Sequence, residues 1–345
     1  MPAGVEKIGD DVKIGKGSAL KLHEIKSITA NRYVVTLREP FITSLRKVDR
    51  YPVARVRIEL ESGAVGVGEC VATPAIAGDS FDEIWQQLNM DEVKNLREID
   101  GKVLDDLNLL PSTRAALDMA CWDFESREFN CTVGTDVTIP IVPLSEISRI
   151  VKERMKAGFT AFKVKVQLES IDDLIRRIST IYGLIGSSSK LRIDPNQSWD
   201  LAYATMATRS LESEHLPIEY LEQPFKRSAL DEHKSLSQIT SIPLMADESC
   251  FSEKDLEKVI SSNAFKYLNV KILKAGGVYP ARRLAKLAHE AGLTVSIGLM
   301  MEGEQGVRAA TYLAHEVNPE IIHDLDAAWW FEDSSIVYRG STVRV

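Results

Sequence analysis

Ala161-Phe162-Lys163-Val164-Lys165-Val166 decides how this chain is read. β-branched and aromatic residues alternate with others, the signature of a buried strand. Side chains two apart in a strand share a face, so Lys163 and Lys165 point the same way. Lysine is almost never fully buried unless it has a partner or a task there. The strand therefore predicts a polar interior.

Outward from it, short apolar strands alternate with helices. The strands are Val137–Val142, Ala161–Val166, Leu191–Asp194, Ile218–Glu222, Pro243–Asp247, Tyr267–Ile272, Leu293–Gly298 and Ile321–Asp326. Helical patterns fill the gaps: Leu144–Ala157, Ile171–Gly183, Leu201–Glu214, Ala229–Ser237, Glu253–Ser261, Tyr279–Ala291 and Gly306–Val317. This spacing predicts an α/β chain folded as a parallel (β/α)8 barrel. Ahead of it, Leu22–Leu37 and Ala54–Cys70 alternate like antiparallel strands, the second pair turning at Glu61-Ser-Gly-Ala. Pro40–Pro52 reads as a polar, basic loop. Phe81–Arg97 and Ser112–Arg127 read as helices, Ser112 being the expected N-cap. The expected division is a polar leader over 1–21, which composition reads as disordered, an α+β capping domain over 22–130, the barrel over 131–328, and a segment over 329–345 returning to the capping domain.

Composition narrows the class. The 345 residues are 44% hydrophobic, enough for a large domain and a smaller one, and the formal net charge is -8. No basic stripe suits a nucleic acid, and no apolar run reaches membrane-spanning length. Met1–Lys21 lacks an apolar signal core, so the cytoplasm is the expected compartment. Cys70, Cys121, Cys131 and Cys250 form no CxxC pair and read as free thiols.

Barrel enzymes keep their chemistry at the C-terminal ends of the strands. There stand Lys165 on strand two, Asp194 on three, Glu222 on four, Asp247 on five, Lys271 on six, and Asp324 and Asp326 on eight. Three acids on neighbouring strands would repel one another unless a hard cation joins them, and Mg2+ fits oxygen ligands with open positions. Strands two and six lie across the barrel, so Lys165 and Lys271 flank the cavity. Two bases on opposite faces of one carbon suit a 1,1-proton transfer with inversion. A lysine base near neutral pH needs its pKa lowered from about 10.4 by roughly three, about 4 kcal/mol. Lys163, the metal and burial are the expected causes. Asp324 and Asp326 are expected at the end of the cavity away from the metal, where a cationic group such as a free α-ammonium can reach them.

These residues resemble the enolase superfamily, muconate-lactonizing subgroup. The likeness rests on Lys163-x-Lys165, Asp194/Glu222/Asp247 and the run Asn269-Val-Lys271 to Ala275-Gly-Gly. Asp324-x-Asp326, Phe41-x-Thr43-x-Leu45-Arg46 and Ala72–Ser80 resemble the dipeptide epimerases within it, of the L-Ala-D/L-Glu kind. The resemblance implies a dipeptide substrate, one Mg2+ per subunit and a homo-oligomer. It implies Lys165 and Lys271 as acid and base, Lys163 as the electrostatic support of Lys165, and Asp324 and Asp326 as holders of the α-ammonium. Asn196 and Glu248 would stand just behind the metal ligands. N-acylamino-acid racemase, o-succinylbenzoate synthase and muconate cycloisomerase share the lysines and ligands, but none needs a free ammonium. A barrel retired from catalysis would be expected to have lost one of these residues.

Specificity is expected from Arg46 and from Leu299 and Met301 on the strand-seven segment. Arg46 suits an acidic side chain on the second residue, whereas Asp49 would favour a cationic one. Trp329 and Trp330 offer stacking surfaces for an aromatic or cationic side chain. Departures from the subgroup's pattern are the contracted junction Asn130–Asp136, Gly303 in place of Thr or Ser, and the two tryptophans.

Overall fold

A computed structural model describes residues 21–126 and 130–345. The leader expected over 1–21 lies almost wholly outside them. The capping part begins with a long antiparallel hairpin, Ile25–Ile42 paired with Lys47–Leu60, to which Val65–Cys70 adds a third strand. The segment Pro40–Pro52 is therefore not a loop. Its ends continue the ladder, with Phe41 opposite Val48 and Val35 opposite Tyr51. Its polar residues sit on the outward face of a two-sided ribbon, which hid the strands in a reading by polarity. Only Thr43–Arg46 turns, closed by Thr43 N donating to Arg46 O at 2.9 Å. The tip rests on the barrel: Ser44 Oγ donates to Pro195 O at 2.9 Å and Ile141 N to Ile42 O at 2.9 Å.

Helix Pro111–Ser126 packs across the third strand. A Cβ at Gly68 would lie 1.9 Å from Ala116 O, so only glycine permits this approach. The helix starts at Pro111, and the Ser112 hydroxyl bonds Asp79 instead of capping. Proline suits the first helical position because its missing N–H has no intrahelical partner there. Phe81–Arg97 is not one helix. Phe81–Leu88, capped by a Ser80/Glu83 box, ends at Asn89, whose amide donates to Trp85 O at 2.8 Å; Asp91–Lys94 forms a separate turn.

Seven parallel strands follow in sequential order: Val137–Ile139, Ala161–Lys165, Lys190–Asp194, Ile218–Glu222, Leu244–Ala246, Tyr267–Lys271 and Thr294–Gly298. A helix covers each one in turn. The eighth strand is short, Ile322–His323. It meets strand seven through a parallel bridge between Gly298 and Asp324, and the start of strand one through Asp136 N donating to His323 O at 3.0 Å. A 3-10 turn, Ala327–Trp330, follows it. Phe331 then bridges Leu37 of the hairpin, and Thr342–Arg344 pairs with Thr132–Thr135 beside the barrel seam. The molecule is a parallel α/β barrel with an N-terminal capping domain. All four cysteines are free and buried, and no helix among the described residues is long and apolar enough to cross a membrane.

Candidate active site

The hairpin tip and the C-terminal ends of the strands line a narrow cleft. Its wall gathers Lys163, Lys165, Asn196, Lys271, Leu299, Met301, Asp324, Asp326 and Arg46. Asp194, Glu222, Asp247 and Glu248 lie buried just behind, each tied to a lining residue or its neighbour. Lys165 Nζ donates to Asp194 Oδ2 at 2.5 Å, and Lys271 Nζ to Asp247 Oδ2 at 2.7 Å. Asn196 Nδ2 donates to Asp194 at 3.2 Å and to Glu248 at 3.5 Å.

Four residues from the even-numbered strands close a ring. Lys163 Nζ is 2.5 Å from Asp324 Oδ2 and 3.8 Å from Glu222 Oε2. The Asn269 amide donates to Glu222 at 2.9 Å and to Asp324 at 3.1 Å. Barrel interiors fill in layers of side chains from alternate strands, and this is one such layer. Asp324 is thus not at the far end of the cavity from Glu222; one amide spans them. Gly298 makes room for it, since a Cβ there would stand 2.3 Å from Asn269 Oδ1.

The three expected metal ligands do not close on a single point. Among the described residues, the acids whose oxygens come within 4.8 Å of one another are Asp136, Asp324 and Asp326. Each of those already has donors: Arg192 on Asp136 at 2.7 Å, Lys163 on Asp324, and Thr138 N and Trp330 Nε1 on Asp326 at 2.7 and 3.0 Å. Lysines pair with Asp194 and Asp247 instead, Asp247 being held by Lys274 at 2.6 Å as well as by Lys271. Yet the donor set suits a hard cation. Buried Glu222 Oε2, Glu248 Oε2 and Asn196 Oδ1 have no hydrogen-bond partner. Burial, with Asp194 and Asp247 nearby, pushes Glu222 up to about 7 despite Lys163, and Glu248 up to about 8. Uncompensated oxygens in an acidic pocket are what an oxygen-coordinated divalent ion satisfies.

Lys271 departs from expectation. Burial pulls Lys163 and Lys271 down, but the facing carboxylates, led by Asp324 and Asp247 respectively, outweigh it and hold both above the ordinary lysine range. Asp324 is held well below the usual carboxylate range: burial pushes it up, but Lys163, Lys271 and Lys165 prevail. Burial and the charge of Asp324 raise Asp326.

Strain gathers here. Asn196, Gln223 and Met301 adopt positive φ of 45°, 36° and 70°, values uncommon for residues with a side chain. Gln223 escaped the sequence reading, although it directly follows Glu222. Its side-chain Oε1 accepts Asp247 N at 3.0 Å and its Nε2 donates to Ser249 Oγ at 2.7 Å, fixing the end of strand five to strand four. Asn269 and Lys274 were also missed as site residues; their signal was the even spacing of Asn269 from Lys271 and a second lysine in the same run.

The specificity residues divide. Arg46 lines the cleft, and among the described residues no carboxylate pairs with it; burial lowers its pKa against Tyr51 and Glu302. Asp49 is exposed and does not line the cleft. Neither tryptophan offers a face to a substrate. Trp329 packs against Phe159, Tyr338 and Arg38, and Trp330 against Phe41 and Arg154. Internal partners from the hairpin, from the barrel around Arg154 and Phe159, and from the C-terminal segment take these rings. Gly303 has a local reason too: a Cβ would fall 2.1 Å from Tyr33 OH and 2.4 Å from Glu69 Oε2.

Residues 25–135 match the mandelate racemase/muconate lactonizing enzyme N-terminal domain, and residues 146–343 match the enolase C-terminal domain-like family. The L-Ala-D/L-Glu epimerase of Bacillus subtilis is 32% identical over 93% of this chain and 94% of its own length. Its substrate-liganded structure superposes with a TM-score of 0.86 at 31% identity, covering 93% and 96% of the two chains. The dipeptide epimerase of Enterococcus faecalis, solved with Mg and L-Leu-L-Tyr, gives 0.85 at 26% identity over 93% and 97%. The N-succinyl-L-Arg/Lys racemase of Bacillus cereus is 27% identical over 81% of this chain and 80% of its own. The expectation of an isomerase agrees with these relatives. With both domain models matched and such likeness along nearly its whole length, the chain belongs to the enolase superfamily.

Proposed function

We propose that this chain is a Mg2+-dependent dipeptide epimerase that inverts the α-carbon of the second residue. The observation carrying the reading is that Lys165 and Lys271, from strands two and six, line one cleft with Asp326, whose partners among the described residues are N–H donors and not cations. In this reading one lysine takes the α-proton. The other returns a proton to the opposite face of the same carbon, and solvent exchange resets the pair. Asp326, with Asp324 beside it, receives the α-ammonium, and the unpaired Arg46 receives an acidic side chain. A divalent cation held by Asp194, Glu222 and Asp247 would supply charge to stabilise the substrate carboxylate as the α-proton leaves, and would draw those acids off the lysines. Asn196 and Glu248 steady the ligands from behind. Four free, buried thiols suit a reducing cytoplasm.

A second reading, racemisation of N-acylated amino acids, is favoured by the Lys163–Asp324 ion pair, which cancels one of the two acidic charges. Proton NMR in D2O with Mg2+ and pooled L,L-dipeptides separates them. Loss of the α-proton signal at the second residue of free dipeptides is the expected result. Exchange confined to N-acylated amino acids would overturn it in favour of the racemase.

A further inference from the structure

Asp326 Oδ2 accepts two N–H groups, Thr138 N at 2.7 Å and the Trp330 indole at 3.0 Å. Among the described residues Oδ1 has no hydrogen-bond partner, and Asp326 lines the cleft. Asp324 differs: Lys163 and Asn269 both hold it. Trp330 itself is 1% exposed and does not line the cleft. Its ring is clamped between domains. Phe41 of the hairpin meets it edge-on at 5.0 Å and 88°, and the Arg154 guanidinium lies 4.9 Å over it. Arg154 is ion-paired in turn with Glu39 of the same hairpin. Phe41 also lines the cleft.

We propose that Trp330 is a positioning residue: held by Phe41 and Arg154, its indole N–H fixes Asp326 Oδ2 and leaves Oδ1 to receive the α-ammonium of the substrate. The proposal rests on the dipeptide epimerase reading. It makes Asp326 the ammonium acceptor and Asp324 part of the barrel layer. It also links the seating of the capping hairpin to the orientation of an acid that lines the same cleft as Phe41.

The test is Trp330→Phe, which keeps a ring against Phe41 and Arg154 but removes the donor. A hydrogen bond to a charged group is worth enough that KM for free dipeptides should rise about tenfold. The turnover number should change less than about threefold, because the lysines are untouched. A packing defect alone would not separate KM from kcat in this way. A second readout needs no variant: the Trp330 indole N–H resonance of the wild-type protein should move when dipeptide saturates the site. An active wild type with an unmoved resonance, or a Phe variant with unchanged KM, overturns the proposal while leaving the epimerase reading intact. A wild type inert toward every free dipeptide takes down that reading, and this proposal with it.

Discussion

Lys163 Nζ stands 2.5 Å from Asp324 Oδ2, and both groups are buried. The pair is one side of the ring that continues through Asn269 and Glu222. The lysine that breaks the apolar run of strand two is therefore answered by an acid from strand eight. That contact adds a side-chain tie to the backbone bonds, Asp324 N to Ile297 O and Asp136 N to His323 O, each 3.0 Å, that join the short last strand to its neighbours.

Removing one member of a buried pair leaves the other charge unpaired, at a cost of about 3–5 kcal/mol. Lys163→Met should lower the unfolding free energy by about that much. Lys163→Met with Asp324→Leu should recover most of it, because neither charge remains. Urea unfolding of the two single variants and the double variant measures this. Strictly additive losses would mean the two side chains do not interact.

Gly303 marks where the hairpin sheet meets the barrel. Tyr33 OH donates to Glu69 Oε1 at 2.7 Å, and Glu69 Oε2 accepts Gln305 N at 3.0 Å. Gly303→Ser should cost about 1–3 kcal/mol by overpacking this contact. Adding Tyr33→Phe, which removes the colliding hydroxyl, should restore part of the loss. Calorimetric melting of both variants decides it.

Two histidines make stability fall with acid. His233 and His323 are fully buried, and burial lowers each to about 4. Below an unfolded pKa near 6.5, the unfolded chain binds protons that the folded chain refuses. The contribution is present above about pH 6.5 and is lost as pH falls toward 4, by about 3 kcal/mol for each histidine. His323 Nδ1 accepts Ile297 N at 3.0 Å, a bond that protonation removes. Denaturant midpoints measured from pH 7 to 4.5 should decline through this window; a flat profile would contradict the neutral buried imidazoles.

A divalent ion on Asp194, Glu222 and Asp247 should stabilise the fold by mass action. At about a hundredfold excess over Kd the gain is about 2.7 kcal/mol. Melting temperature should rise with Mg2+ and return with EDTA, and Glu222→Gln should abolish the rise. A wild-type melt indifferent to Mg2+ would argue against the proposed ligands.

Much of this was legible in order along the chain. The alternation of short strands with helices from Val137 onward named the parallel barrel, because strand and helix periods are local properties. The placement of Lys165, Asp194 and Lys271 at strand ends followed from the same periods. The hairpin's polar outer face concealed its closed end, and Asn89 ended a helix that apolar periodicity alone would have continued.

The sequence by itself determined which chemical groups face the barrel's interior, since a period of two sets the face of every strand residue. Only the tertiary structure decided which of them touch. A closed eight-stranded barrel brings alternate strands into one layer, so Glu222 and Asp324, far apart in the chain, share the amide of Asn269. The same holds for Trp330. Its hydrogen bond to Asp326 depends on a four-residue 3-10 turn and on a hairpin some three hundred residues earlier in the chain. Electrostatics followed suit: the sign of a buried lysine's pKa shift depends on which carboxylates surround it, and that is a property of three-dimensional packing.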